Sequence, residues 1–203
     1  IEKSTEYYND NNYYMNFEEN LRGKIVMPMI VVQIIGITAA AIYIGSYQIK
    51  SNKKLFFVQI FADILFIIQF YFLGGLSGSL CTFLCAIRNV LLMKTDEWKF
   101  VKWKGMPVIF CLMFIFASML TWDGIMSIFP MIACVSNTIG YWTNNARYIR
   151  IASGFVCSPA WLAYDIYVRS IGSTLTDTLT IISVVVSIFR FGWKNLGNED
   201  FGK

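Results

Sequence analysis

The sequence predicts an all-α integral membrane protein with seven transmembrane helices, arranged as two parallel three-helix repeats joined by a lone helix (3+1+3). The first observation behind this prediction is composition. Of the 203 residues, 56% are hydrophobic and only 15% are charged, whereas a soluble domain carries about 25% charged residues. So little charge cannot cover the surface of a soluble protein of this size. We therefore expect the lipid bilayer to be the main partner of the chain, and we expect no enzymatic activity.

The second observation is a series of seven apolar segments, each near the length of about 20 residues that a helix needs to cross a bilayer. They are residues 25–47, 55–73, 76–93, 106–120, 125–142, 148–168 and 173–191. The fourth segment is the shortest, and glycines at positions 74, 75 and 78 predict a turn between the second and third. The predicted organisation is a disordered polar tail (1–24), a first repeat (25–93), a loop with the linker helix (94–121), a second repeat (122–191) and a cytoplasmic tail (192–203).

The third observation is an internal repeat with an offset of 95 residues. Gly45 aligns with Gly140, and the pairs Leu80/Leu175 and Leu84/Leu179 keep the same offset. A single helix between two triplets restores their orientation, so the two repeats would be parallel and related by an axis along the membrane normal.

The distribution of basic residues predicts the orientation in the membrane. Of the 17 Lys and Arg residues, Arg88 lies inside a predicted span, 12 lie in segments on one side, and four lie on the other side. Short cytoplasmic loops are the ones rich in Lys and Arg. We therefore expect the N-terminus outside and the C-terminus in the cytoplasm.

Three sequence stretches carry a family resemblance. They are Gly45-Ser46-Tyr47-Gln48, Ala86-Ile87-Arg88-Asn89 and Ser158-Pro159-Ala160-Trp161-Leu162-Ala163-Tyr164. With them the chain resembles the YgjV-like bacterial inner membrane proteins over about residues 33–190. That family is similar in architecture to SWEET and PnuC-type transporters. The resemblance implies a multi-pass protein of the bacterial inner membrane, and it implies no particular substrate.

Four ionisable side chains fall inside predicted spans, where each is costly and is a functional candidate. Asp63 and Arg88 lie at about the same depth, about 12 Å from the cytoplasmic side at 1.5 Å per residue. We therefore predict an intramembrane ion pair between them, with a structural role or a gating role both open. Asp165 is expected to reach the outer interface. Asp177 lies near the start of the seventh predicted helix. We expect either that the helix dipole stabilises its carboxylate there or that it contacts a substrate.

Candidate substrate-binding residues follow from the repeat and from its likeness to SWEET-type proteins. Phe66 and Trp161 place an aromatic ring on the second helix of each triplet, and Thr82 and Asp177 follow each ring by 16 residues on the third helix. Asn137 is a further candidate for lining a cavity. A ring beside hydrogen-bonding groups suits a sugar or a nucleoside-like ligand. An aromatic side chain in a membrane helix is nevertheless more often a packing residue, and polar side chains there commonly form interhelical hydrogen bonds.

Two functions remain open from the sequence. The first is a small-molecule transporter or facilitator that works by alternating access. The alternative is a non-transporting membrane scaffold or a sensor subunit. The chain has no His and no Cys spacing typical of a metal site, so we predict no metal and no cofactor. A net charge of +4 is too small to indicate nucleic-acid binding, and an oligomer is possible.

Overall fold

The structure is a computed structural model that describes residues 27–46, 52–94, 97–143, 148 and 151–191. These residues contain α-helices and short helical turns, and no β-strand. The chain divides into units 1–31 and 32–203, and of the first unit only residues 27–31 are described. The predicted disordered tail (1–24) and the predicted cytoplasmic tail (192–203) lie outside the described residues.

Each of the seven predicted segments corresponds to one α-helix. The helices are α1 (Met29–Ser46), α2 (Asn52–Phe72), α3 (Leu76–Met93), α4 (Met106–Leu120), α5 (Ile128–Trp142), α6 (Ser158–Val168) and α7 (Ile171–Phe191). Two 3₁₀ turns lie at Lys99–Lys102 and Ile125–Ser127, and a π-helix at Ala152–Cys157 continues directly into α6. The prediction of an all-helical protein is therefore confirmed.

Three segments are long and apolar enough to cross a membrane: α1, α3 and the stretch Ile125–Trp142 that contains α5. Shorter apolar stretches are Phe56–Phe72 within α2, Ile171–Val186 within α7, and α4, which with 15 residues is about 22 Å long. Large apolar side chains such as Leu112 and Phe116 of α4 are exposed, while Gln69 and Arg88 are buried. An apolar exterior around buried polar groups is the arrangement expected of helices that face lipid.

The turns before α3 and α7 have the same backbone geometry at positions 95 apart. Gly74 and Arg169 both adopt positive φ, 80° and 60°. In each turn the next N–H, of Gly75 and of Ser170, donates to the carbonyl five residues earlier at 2.8 and 2.9 Å. This bond, with the left-handed residue before it, closes the end of the preceding helix.

Helix α1 approaches the start of α7 at a pair of glycines. A methyl group on Gly172 would overlap the backbone of Gly36, and a methyl group on Gly36 would overlap the Gln69 side chain. Beside this crossing, Ser170 donates to the Gln69 side chain at 3.0 Å, and Gln69 donates to Gln33 at 3.3 Å. These contacts connect α1, α2 and the turn between α6 and α7.

Candidate functional site

A polar cavity of about 110 Å³ lies among the helices, lined by residues of α1, α2, α3, α5, α6, α7 and the π-helix. A water molecule needs about 10–15 Å³ measured in this way, so the cavity has room for several. The five predicted substrate-binding residues and both members of the predicted ion pair line it, namely Phe66, Thr82, Asn137, Trp161, Asp177, Asp63 and Arg88, whereas Asp165 does not. Substrate binding by these residues stays a prediction.

Stacked aromatic rings form one wall of the cavity. Phe66 stacks on Phe70 with ring centroids 6.3 Å apart, and Phe70 stacks on Trp161 at 5.7 Å with the ring planes inclined by only 15°. Because Phe70 lies between the two predicted aromatics, it connects α2 to α6. A flat wall of this kind can pack against the face of a ligand ring or an apolar chain.

Asp63 is held by an amide. Its carboxylate accepts a hydrogen bond from Asn89 Nδ2 at 2.9 Å, and Asp63 and Asn89 are both almost completely buried. This arrangement differs from the predicted direct ion pair between Asp63 and Arg88. The hydrogen-bond partner of Asp63 on α3 is Asn89, the residue after Arg88. Among the described residues, no carboxylate lies within ion-pair distance, 4.0 Å, of the Arg88 guanidinium.

Arg88 is held by a hydroxyl and an aromatic ring. Its Nη1 donates to Thr138 Oγ1 at 2.9 Å, and its Cζ lies 4.9 Å from the centroid of the Tyr141 ring. Thr138 can accept this bond because its own hydroxyl donates to the Cys134 carbonyl at 2.7 Å. The Arg88 Nε is buried and has no hydrogen-bond acceptor in the described part of the chain.

Two buried carboxyl groups lie on neighbouring helices. The Asp177 side chain on α7 lines the cavity, and both carboxyl oxygens of Asp165 on α6 are buried with no hydrogen-bond partner in the described residues. The expectation that Asp165 reaches the outer interface is wrong, since its exposed fraction is 0%. Helix α7 begins at Ile171, two residues before the predicted start, so Asp177 lies in its second turn, beyond the strongest effect of the helix dipole.

The remaining two predicted residues form local hydrogen bonds. The Thr82 hydroxyl donates to the Gly78 carbonyl one turn earlier in α3 at 2.8 Å. Asn137 Oδ1 accepts from the Ser153 hydroxyl of the π-helix at 3.2 Å. Both residues also line the cavity.

Sequence reasoning missed the π-helix as part of this site. Ser153 and Cys157 of the π-helix line the cavity, as does Ser158, the first residue of α6. Pro159 follows at once and cannot donate a backbone hydrogen bond, which explains an irregular helix just before it. Gly154 lies so close to the Val184 side chain that a methyl group there would clash with it. A Gly and a Pro five residues apart within one apolar run were the available signal.

The residues around the cavity offer several kinds of polar contact. Among the described residues, no group of three or more His, Cys, Asp or Glu side chains could hold a metal ion. The cavity offers a cationic guanidinium, carboxyl groups, amides, hydroxyls and an aromatic wall. Such a set can hold a small polar molecule by hydrogen bonds and stacking.

The fold and the cavity define an all-helical protein with a polar interior and apolar helices, three of them long enough to cross a membrane. A profile of the Imp-YgjV family, described as a bacterial inner membrane protein, matches residues 30–195. The chain belongs to this family, so the YgjV-like resemblance and the inner-membrane prediction are confirmed. Comparisons with curated proteins and with solved structures find no match. The likeness to SWEET and PnuC-type transporters stays a prediction.

Proposed function

We propose that this protein is a transporter or facilitator for a small polar molecule in the bacterial inner membrane. The observation that carries the proposal is the cavity with Arg88, Asp177 and Trp161 in its lining. Placing ionisable groups inside a membrane protein costs free energy, and such groups commonly mark a substrate or ion pathway. A scaffold would gain nothing from a polar cavity, because an apolar, filled interior is cheaper to bury.

The proposed mechanism is alternating access by a 3+1+3 parallel repeat, in which two triplets move against each other around the cavity. The matching turns at Gly74 and Arg169 support the repeat. A helix can bend where its hydrogen bonding is irregular. Such a place is the π-helix, which precedes Pro159 and lines the cavity. A second candidate hinge is the junction at Pro130, in the first turn of α5 directly after the 3₁₀ turn Ile125–Ser127.

Uptake into proteoliposomes tests the proposal. The purified full chain, reconstituted into lipid vesicles, is assayed with a panel of radiolabelled sugars, nucleosides, vitamin precursors and small organic acids. We expect at least one class to enter faster than into empty vesicles. Folded protein that moves no member of the panel would contradict the proposal and favour the scaffold or sensor alternative.

Matched tryptophan variants connect transport to the cavity. Trp161→Ala removes an aromatic side chain from the cavity wall, whereas Trp122→Ala removes one that is 55% exposed and lies outside the lining. Stacking contacts contribute about 0.5–1.5 kcal/mol, so we expect Trp161→Ala to raise the KM for uptake about 2- to 10-fold. Trp122→Ala is expected to leave KM unchanged. Equal effects of both variants would mean that the cavity is not the transport site.

A further inference from the structure

We propose that Arg88 is the binding group for the carboxylate of a small organic monocarboxylate that occupies the cavity. This inference rests on the proposed transport function and names the substrate class. The exposed fraction of Arg88 is 3%, and the residue lines the cavity. Its guanidinium stays charged in any protein environment and carries five N–H donors. A buried cation in this position needs either a negatively charged partner or several strong hydrogen-bond acceptors.

The protein supplies Arg88 with few such acceptors. The Thr138 hydroxyl accepts a hydrogen bond from one N–H of the guanidinium, and the Tyr141 ring packs against the guanidinium face. The Nε is without an acceptor in the described residues, and no carboxylate of those residues lies within ion-pair distance. An arginine fork of Nε and Nη groups matches the two oxygens of a carboxylate, so a bound carboxylate would satisfy the free donor.

The charge of the cavity lining restricts the charge of the ligand. Among the described residues that line the cavity, Arg88 is the only Lys or Arg. Arg88 balances one negative charge on the ligand, whereas a second negative charge would be buried without a counter-charge. The site therefore favours a monoanion over a dicarboxylate or a phosphate dianion.

The cavity lining contains a second residue with an unsatisfied polar atom, and this atom points to the rest of the ligand. Asn89 Oδ1, next to Arg88 on α3, is buried and receives no hydrogen bond in the described part of the structure. A hydroxyl on the ligand could donate to it. The aromatic wall of Phe66, Phe70 and Trp161 accepts an apolar or ring portion. Lactate and benzoate are the probes that test these two features.

Equilibrium binding to the full chain in detergent tests the inference without any variant. Lactate and benzoate are compared with their neutral amides, lactamide and benzamide, and with succinate and chloride. A hydrogen bond to a charged group contributes about 1.5–3 kcal/mol, so we expect each amide to bind about 10- to 100-fold more weakly than its acid. Succinate and chloride are expected to bind more weakly than lactate.

Variants then assign the effect to Arg88. Arg88→Gln removes the charge and is expected to abolish the preference for acid over amide. Arg88→Lys retains the charge without the two-pronged guanidinium, so it is expected to keep part of that preference. Lys104→Gln, an exposed change outside the cavity, is the matched control and keeps the full preference. Size-exclusion profiles establish whether each variant is folded. If Arg88→Gln does not fold, the comparison of acid and amide binding to the wild-type chain still tests the inference.

The outcomes separate this inference from the proposed function. Equal binding of acid and amide, or chloride binding as tight as that of lactate, would overturn the carboxylate site. Uptake of sugars or nucleosides by a protein that binds no carboxylate would leave the transport proposal intact and reject this inference. Carboxylate binding with no uptake of any bound acid would keep the site and reject transport.

Discussion

At the scale of single residues, Tyr164 shows how a polar atom on one helix stabilises the beginning of another. Its hydroxyl accepts a hydrogen bond from the Gly78 N–H at 2.9 Å. Gly78 is the third residue of α3, and the first N–H groups of a helix have no partner within the helix. The tyrosine ring occupies the space where a side chain at Gly78 would lie. Tyr164 thus fixes α6 against the N-terminus of α3.

Tyr164→Phe is expected to destabilise the protein by about 1 kcal/mol, and by up to about 3 kcal/mol if the buried N–H finds no other acceptor. The ring and its packing are retained, so the loss reports the hydrogen bond alone. Tyr167→Phe on the same helix is the control, since Tyr167 is 54% exposed. The free energy of unfolding in detergent is the measurement. Equal stabilities of the two variants would show that the Tyr164 hydroxyl contributes nothing to the fold.

The charged residues show what sequence reasoning can and cannot predict at this scale. Equal depth along α2 and α3 predicts that Asp63 and Arg88 lie close together, and both residues line one cavity. The partner of Asp63 is nevertheless Asn89, because successive residues on a helix point about 100° apart and only one of them can face a given neighbour. Depth follows from counting residues, whereas rotation about the helix axis depends on tertiary packing.

At the scale of helices, the crossing of α1 and α7 depends on two glycines. Backbones approach this closely only where both residues lack a side chain, and small residues are typical of helix contacts in membrane proteins. The site is reinforced by Gln33, which donates to the Arg169 carbonyl at 2.7 Å and accepts from the Ile171 N–H at 3.1 Å. A larger residue at the crossing would separate the helices and break these bonds.

Gly172→Ala is expected to destabilise the protein by about 1–3 kcal/mol, the usual cost of overpacking. The methyl group would meet the Gly36 backbone, which cannot move aside as a flexible side chain can. Gly45→Ala in α1 is the matched control, because a methyl group there meets nothing within 4 Å. Thermal unfolding of both variants is compared with wild type. A Gly172→Ala protein as stable as the Gly45→Ala protein would show that the helices are not in close contact at this point.

Helix bounds were predictable where turn chemistry is local. The start of α3 follows from the glycines at 74 and 75, and both the predicted and the observed helix begin at residue 76. The start of α7 was placed two residues late, because Arg169 takes the left-handed position that glycine takes before α3. An arginine carries no such signal in the sequence, so only the repeat offset of 95 residues could have indicated it.

At the scale of the whole molecule, the charge distribution around the apolar helices predicts which loops face the cytoplasm. The segment between α3 and α4 contains Lys94 and Lys104, whereas the short segment between α4 and α5 contains Asp123 and no basic residue. Basic residues are retained on the cytoplasmic side during insertion. If α4 crosses the membrane, these two segments lie on opposite faces, and the number of spans and the orientation can be tested together.

Cysteine labelling is the test. In intact spheroplasts, Asp123→Cys is expected to react with a membrane-impermeant maleimide, and Lys104→Cys is expected to react only after permeabilisation. Asp123 and Lys104 are both exposed, so a difference in labelling reports sidedness rather than burial. The unaltered chain measures the background from its own five cysteines, all of which lie within the helical segments. The reverse pattern would invert the predicted orientation. Labelling of both positions from the same side would show that the 15-residue α4 does not cross the membrane, and the 3+1+3 arrangement would then fail with it.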